Sequence, residues 1–178
     1  MKETLVSGAE YIAQEDEIDT LSIKSVVRTR TDADSPNDSF LPGVFLRQVD
    51  SAVRASVASR GARLNGNLRS RLAQFWFGND RTIHYEVWIH ERTAQIELGL
   101  HFEASESRNR ELYRQFEREL LAIQAILGSS VWLEQWDRGW SRIYETQPLW
   151  PLDSVRVQAI TARLNEMIDV FQPILEAS

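Results

Sequence analysis

The stretch Ile83-His84-Tyr85-Glu86-Val87-Trp88-Ile89-His90, resumed at Gln95-Ile96-Glu97-Leu98-Gly99-Leu100-His101-Phe102-Glu103, decides the fold of this chain. Ile83, Tyr85, Val87 and Ile89 alternate with His84, Glu86, Trp88 and His90. Ile96, Leu98, Leu100 and Phe102 alternate with Gln95, Glu97, Gly99, His101 and Glu103. A period of two sustained this long marks strands buried on one side. The segment therefore predicts a β-hairpin with one apolar face and one loaded face. With Arg92-Thr93 as its turn, Val87 faces Leu98, Tyr85 faces Leu100 and His84 faces His101. The buried face pins that register, since a slip of one residue would turn every side chain over. All three histidines of the chain fall on the loaded face.

Upstream, Ala73-Gln74-Phe75-Trp76-Phe77 reads as a third strand, turned into the hairpin by Gly78-Asn79-Asp80. Residues 63–71 carry Asn65-Gly66-Asn67, a turn signal, and are expected to be irregular. Before them, Leu41-Pro42-Gly43 opens a helix to about Arg60, with Phe45, Val49, Val53 and Val57 as its apolar stripe and Gly61 as its stop. Downstream, residues 105–127 form the clearest helix. Ser105 or Ser107 caps it, Tyr113, Phe116, Leu120, Ile123 and Leu127 face inward, and Gly128 ends it. A second hairpin follows, in which a three-residue loop, Asp137-Arg138-Gly139, pairs Trp136 with Trp140, Glu134 with Arg142 and Trp132 with Tyr144. Asp153 or Ser154 caps a last helix, with Val157, Ile160, Leu164, Ile168 and Phe171 inward. The order helix-βββ-helix-ββ-helix predicts an α+β domain: a five-stranded antiparallel sheet with helices on one face. Residues 41–178 form this domain, and residues 1–40 form an N-terminal arm with a weak acidic helix, a short strand and a turn-rich linker.

Composition narrows the chemistry. With 43% hydrophobic and 26% charged residues, the chain is an ordinary globular protein. It has no cysteine, which excludes disulfides, thiolate metal sites and a cysteine nucleophile. No apolar run approaches the ~20 residues that cross a bilayer, and Met1-Lys2-Glu3-Thr4 does not begin a signal peptide. A cytoplasmic protein without a membrane partner is expected. Eighteen basic residues are arginine and two are lysine, Lys2 and Lys24. The body of the chain thus has no lysine for a Schiff base, a Walker A loop or a nuclease centre. Residues 41–82 carry seven arginines against Asp50 and Asp80, between acidic flanks. Pairing with those flanks is the expected use of the basic segment.

Three groups of side chains can carry function. His84, His101 and Glu103, with Glu86 nearby, offer imidazole and carboxylate ligands to a divalent metal. Cross-strand neighbours lie ~4.5–5.5 Å apart at Cβ, close enough to share one ion. Against this stands a solvated strand face that merely holds histidines, and no cofactor is expected. Trp132, Trp136, Trp140 and Tyr144 should share one face of the second hairpin with Arg142, to be buried against the arm, Trp76 or a homodimer seam, or else open to a protein partner. Arg60, Arg63, Arg69, Arg71 and Arg81, beside Phe75, Trp76 and Phe77, suit single-stranded nucleic acid, although the chain is acidic overall. No GxSxG, HExxH, GxGxxG or GxxxxGK[ST] motif is present.

The order of elements from Pro42 onward resembles the class I type III secretion chaperones and their non-secretion relatives. Ile143-Tyr144-Glu145-Thr146-Gln147-Pro148-Leu149, followed by an Asp-capped helix, is similar to the end of that fold. The resemblance implies a small, acidic, dimeric protein without catalytic activity. The long middle helix, the arm and the many tryptophans depart from it. Residues 83–175 also resemble an uncharacterised bacterial domain found alone or beside nuclease-like modules, through Ile126-Leu127-Gly128, Trp132-Leu133-Glu134, Ser141-Arg142-Ile143 and Phe171-Gln172-Pro173. Neither resemblance carries a catalytic signature. A non-enzymatic protein-interaction module, chaperone-like or regulatory, is the leading expectation. A nucleic-acid-associated accessory domain of a nuclease or defence system is second, and a metal-dependent hydrolase is third.

Overall fold

The computed structural model describes residues 39–177. The expectations for the arm, with its weak helix, short strand and linker, lie outside the described residues. Those described form three helices and six strands: α1 (Pro42–Ser59), β1 (Leu64–Leu68), β2 (Leu72–Phe77), β3 (Ile83–His90), β4 (Gln95–Phe102), α2 (Glu106–Leu127), β5 (Trp132–Gln135), β6 (Ser141–Pro148) and α3 (Ser154–Glu176). The strands make one antiparallel sheet in the order β1-β2-β3-β4-β6-β5. All three helices lie on one face, so the α+β class stands.

The hairpin register is the one that alternation predicts. His84 pairs with His101, Tyr85 with Leu100 and Val87 with Leu98. The second hairpin likewise pairs Trp132 with Tyr144 and Glu134 with Arg142. Tyr85, Val87, Ile89, Ile96, Leu98, Leu100 and Phe102 are buried with Phe45, Val49, Val53, Val57, Phe116, Ile160, Leu164 and Phe171. Each large apolar side chain removed from water contributes ~1.5–3 kcal/mol, so this layer dominates stability. Helix ends follow their caps: Ser105 accepts from Arg108 N at α2, Asp153 accepts from Arg156 N at α3, and Gly128 ends α2 at φ 95°.

The sheet has six strands rather than five, because residues 64–68 are β1 and not a loop. Asn65-Gly66-Asn67 is turn chemistry by composition, yet it pairs in full with β2, from Leu64–Phe77 to Leu68–Ala73. Tertiary contacts use each turn-like residue. Asn65 Nδ2 donates to Gly78 O at 2.6 Å. A Cβ on Gly66 would lie 2.5 Å from Gln74 O and overlap the Arg54 guanidinium. That guanidinium bridges to Asp50, donates to Leu64 O at 2.9 Å and lies over the Phe75 ring. Glycine at 66 is what lets α1 close on the strand. In α2 the buried stripe runs through Asn109, Leu112, Phe116, Ile123 and Leu127, with Tyr113 and Leu120 only half-buried at its margin. Asn109 enters the buried set because its amide donates to Ala104 O and Gly139 O and accepts from Ala104 N.

Candidate functional site

The face of the sheet opposite the helices carries His84, Glu86, Glu97, His101, Glu103, Arg142, Tyr144 and Trp132. Its centre is not a solvated strand face. His84, Glu86 and Glu97 are buried and His101 is fully so, at 0% exposure. Side chains of the same face do the covering. Trp136 stands edge-on to His101 with centroids 5.5 Å apart, and Trp140 stands edge-on to Trp136. Arg142 lies over the rings of both Trp136 and Tyr144, at 4.6 and 4.1 Å. Gly99, between Glu86 and Tyr144 in register, has no room for a side chain: a Cβ there would lie 2.6 Å from Tyr144 Cβ and overlap Ile143 O.

Two linked polar groups occupy this centre. In the first, His84 and His101 stack with centroids 5.8 Å apart, and Glu86 reaches His84 Nε2 at 3.0 Å and His101 Nε2 at 3.6 Å. Gln74 donates to Glu86 at 2.7 Å. His84 Nδ1 lies 2.9 Å from Arg81 O, a contact only an N–H can make, so Nε2 is the nitrogen turned to Glu86. In the second, Arg142 joins Glu97 at 2.7 Å to Glu134 at 2.9 Å. Glu97 also approaches His90 at 3.2 Å and His101 Nε2 at 3.3 Å.

Burial alone would raise the Glu86 carboxyl, but the hydrogen bond from His84 and the nearby histidines outweigh it and hold the group below the ordinary carboxylate range. Burial works against the charged form of His84 as well, yet the hydrogen bond and charge of Glu86 and the charge of Glu103 push it upward overall. Glu97 is likewise lowered against its burial, by His101 and Arg142. Neither ring nitrogen of His101 makes a hydrogen bond, although Nε2 lies 3.3 Å from Glu97 and 3.6 Å from Glu86.

His84, Glu86, His101 and Glu103 offer one ligand atom each, all within 4.8 Å of one another. The set adjoins a cavity of about 710 Å³. Gln74, His84 and Glu103 line the side next to the cluster, and Asn67, Arg69, Trp76, Arg81 and Thr82 line the rest.

His84, His101 and Glu103 come together, with Glu86 completing them. Glu97 and Gln74 were not singled out: Glu97 shares the loaded face by alternation, but its pairing with Arg142 needs β6 beside β4, a neighbour distant in sequence. Of the aromatic set, Trp136, Trp140 and Tyr144 are half-buried and Trp132 is 62% exposed. The arginines disperse. Arg60 pairs with Asp169 and Arg71 with Glu91, as expected of a basic segment among acids, while Arg69 and Arg81 meet at the cavity.

No family model matches the chain, and neither does any curated protein. Among solved structures, a chain of the HopA1-SchA chaperone-effector complex is similar to it: 12% identical, covering 75% of this chain and 95% of that one, with a TM-score of 0.39. No helix among the described residues is long and apolar enough to cross a membrane.

Proposed function

We propose that this domain is a non-enzymatic, chaperone-like interaction module that takes an extended segment of a partner protein along β5. The observation that carries the reading is Trp132, exposed on an edge strand. Trp136 N–H donates to Trp140 O at 2.6 Å. By the alternation of an antiparallel ladder, the pairs Glu134–Arg142 and Trp132–Tyr144 are then hydrogen-bonded, and the backbone groups of Leu133 and Gln135 face away from β6. Among the described residues no strand lies beyond β5. An unpaired edge with an aromatic anchor is the arrangement that strand addition uses: backbone bonds give affinity and the side chain gives selectivity. A homodimer across the same edge is the second form of this reading.

Capture from lysate by the tagged full chain, with and without nuclease, tests it against a Trp132→Ser variant. Protein that survives nuclease and is lost with Trp132→Ser supports strand addition. Light scattering identifies a second copy if the mass halves in the variant. Capture that Trp132→Ser leaves unchanged removes the reading. Capture that nuclease abolishes moves the nucleic-acid alternative, with Arg63, Arg69, Arg71 and Arg81, to the front.

A further inference from the structure

We propose that His84, Glu86, His101 and Glu103 bind a divalent transition-metal ion, and that Arg69 and Arg81 hold an oxyanion on that ion from the adjoining cavity. Four features of the cluster lead there. The donors converge, with all four ligand atoms within 4.8 Å of one another. A tetrahedral ion with bonds of ~2.0–2.2 Å spaces its ligands roughly 3.3–3.6 Å apart, so closure needs only a small inward movement. Two carboxylates balance the charge of a divalent ion, and two imidazoles beside them suit Zn²⁺, Mn²⁺ or Fe²⁺ rather than Ca²⁺ or Mg²⁺.

The second feature is independent of the first. His101 is wholly buried and neither ring nitrogen has a hydrogen-bond partner. A buried polar group left unmade costs about 1–3 kcal/mol, and coordination would relieve it. The third is the support behind the donors. His84 Nδ1–H is fixed on Arg81 O, which directs Nε2 to the cluster, and Gln74 fixes Glu86. Metal-bound histidines are oriented in this way, through the nitrogen that does not bind. On coordination Gln74 keeps its bond to Glu86 and gives up its 3.0 Å contact with His84 Nε2.

The fourth is access. Glu103 and His84 belong both to the cluster and to the wall of the cavity, so an ion bound there faces solvent on one side. Arg69 and Arg81 stand on the same wall, and among the described residues neither has an acidic partner within ion-pair distance. Guanidinium groups fork onto phosphate and carboxylate oxygens. The ligand class is therefore a small oxyanion, a phosphate or carboxylate group, with one oxygen as a fifth ligand of the metal and others on the arginines.

The test uses the full chain, stripped with chelator and titrated calorimetrically with ZnCl₂ and separately with MnCl₂. One ion per chain is expected, and His101→Phe, which keeps the ring against Trp136, should weaken binding by ~100-fold or more. Glu103→Gln, at the half-exposed ligand, should weaken it ~10-fold or more in a chain whose circular dichroism is unchanged. Absence of saturable binding, or binding that His101→Phe leaves intact, overturns the metal site. Inorganic phosphate and acetate are then titrated into the Mn²⁺-loaded and the stripped chain. Binding that needs the metal and falls ~10-fold or more in Arg69→Gln/Arg81→Gln supports the oxyanion, and the tighter anion names its class. Anion binding that is absent, or indifferent to either the metal or the arginines, overturns that half.

Discussion

Two buried charged groups sit on opposite faces of one sheet, and only one of them is complete. On the helix face Glu145, from β6, is buried and held by Arg163 of α3 through two bonds, Nη2 at 2.6 Å and Nε at 3.0 Å. Gln147 and Ser130 fill the remaining positions on its oxygens. Arg163 also donates to Leu127 O and pairs with Glu166, so it ties strand, α2 and α3 together. On the opposite face His101 is as deeply buried and makes no hydrogen bond. A satisfied network fixes structure and asks for nothing further. One that leaves a buried ring without a hydrogen bond, in a cluster that adjoins a cavity, has a place for a ligand.

The comparison is broken most severely at Arg163. Arg163→Met leaves Glu145 buried without a counter-charge and should cost about 3–5 kcal/mol. Urea unfolding measures this at neutral pH, and a loss below ~1 kcal/mol would show that Glu145 is not held as described. Gly99→Ala comes next. Its Cβ meets backbone at Ile143 and the root of Tyr144, neither of which can swing aside, so β4 and β6 must shift. A cost of about 1–3 kcal/mol is expected in the same assay, and a neutral substitution would mean that the two strands part easily.

The third effect is smaller and appears in acid. Burial raises the Glu145 carboxyl, but the hydrogen bonds from Arg163 and Gln147 outweigh it and hold the group below its ordinary range. A group whose folded pKa is depressed contributes stability above its unfolded value, about 4.3, and loses it as pH falls through the folded value. Glu86 and Glu97 are lowered too and share this acid limb. The difference between the wild type and Glu145→Gln isolates the one carboxylate. The variant's stability should fall less steeply below about pH 5, as urea midpoints across a pH series would read, and parallel curves would refute the assignment.

How much of this was legible before the structure depended on the kind of signal. The β3–β4 register could be read because a long period-two core allows one alignment, and from it His84 opposite His101 followed. β1 could not: an edge strand needs little apolar alternation, and Asn65-Gly66-Asn67 carries turn chemistry that α1 and β2 override. Missing β1 also hid the cavity, since Arg69 lies just beyond that strand and Asn67 within it. Helix periodicity leaves about one residue of rotation open, so it points to Tyr113 where Leu112 is the buried residue. The burial of the loaded face needed the third dimension. Trp136 covers His101 only because β6 lies beside β4, and nothing in the sequence between them says so.

The smallest predicted effect sharpens the contrast most. His101→Phe keeps an aromatic ring against Trp136 and removes two nitrogens that make no hydrogen bond, together with the longer approaches of Nε2 to Glu97 and Glu86. Glu86 retains His84 and Gln74, and Glu97 retains Arg142. Metal-free protein should therefore lose less than ~1 kcal/mol or gain slightly. Removing the charge partner of the equally buried Glu145, at Arg163, should cost several times more. If the two faces behave alike in urea, His101 is held by Glu97 and Glu86 in the same manner as Glu145 by Arg163, and the face is closed on itself. If His101→Phe is neutral without metal and abolishes the rise in the unfolding midpoint that Zn²⁺ gives the wild type, the ring is kept for what it binds and not for what it holds together.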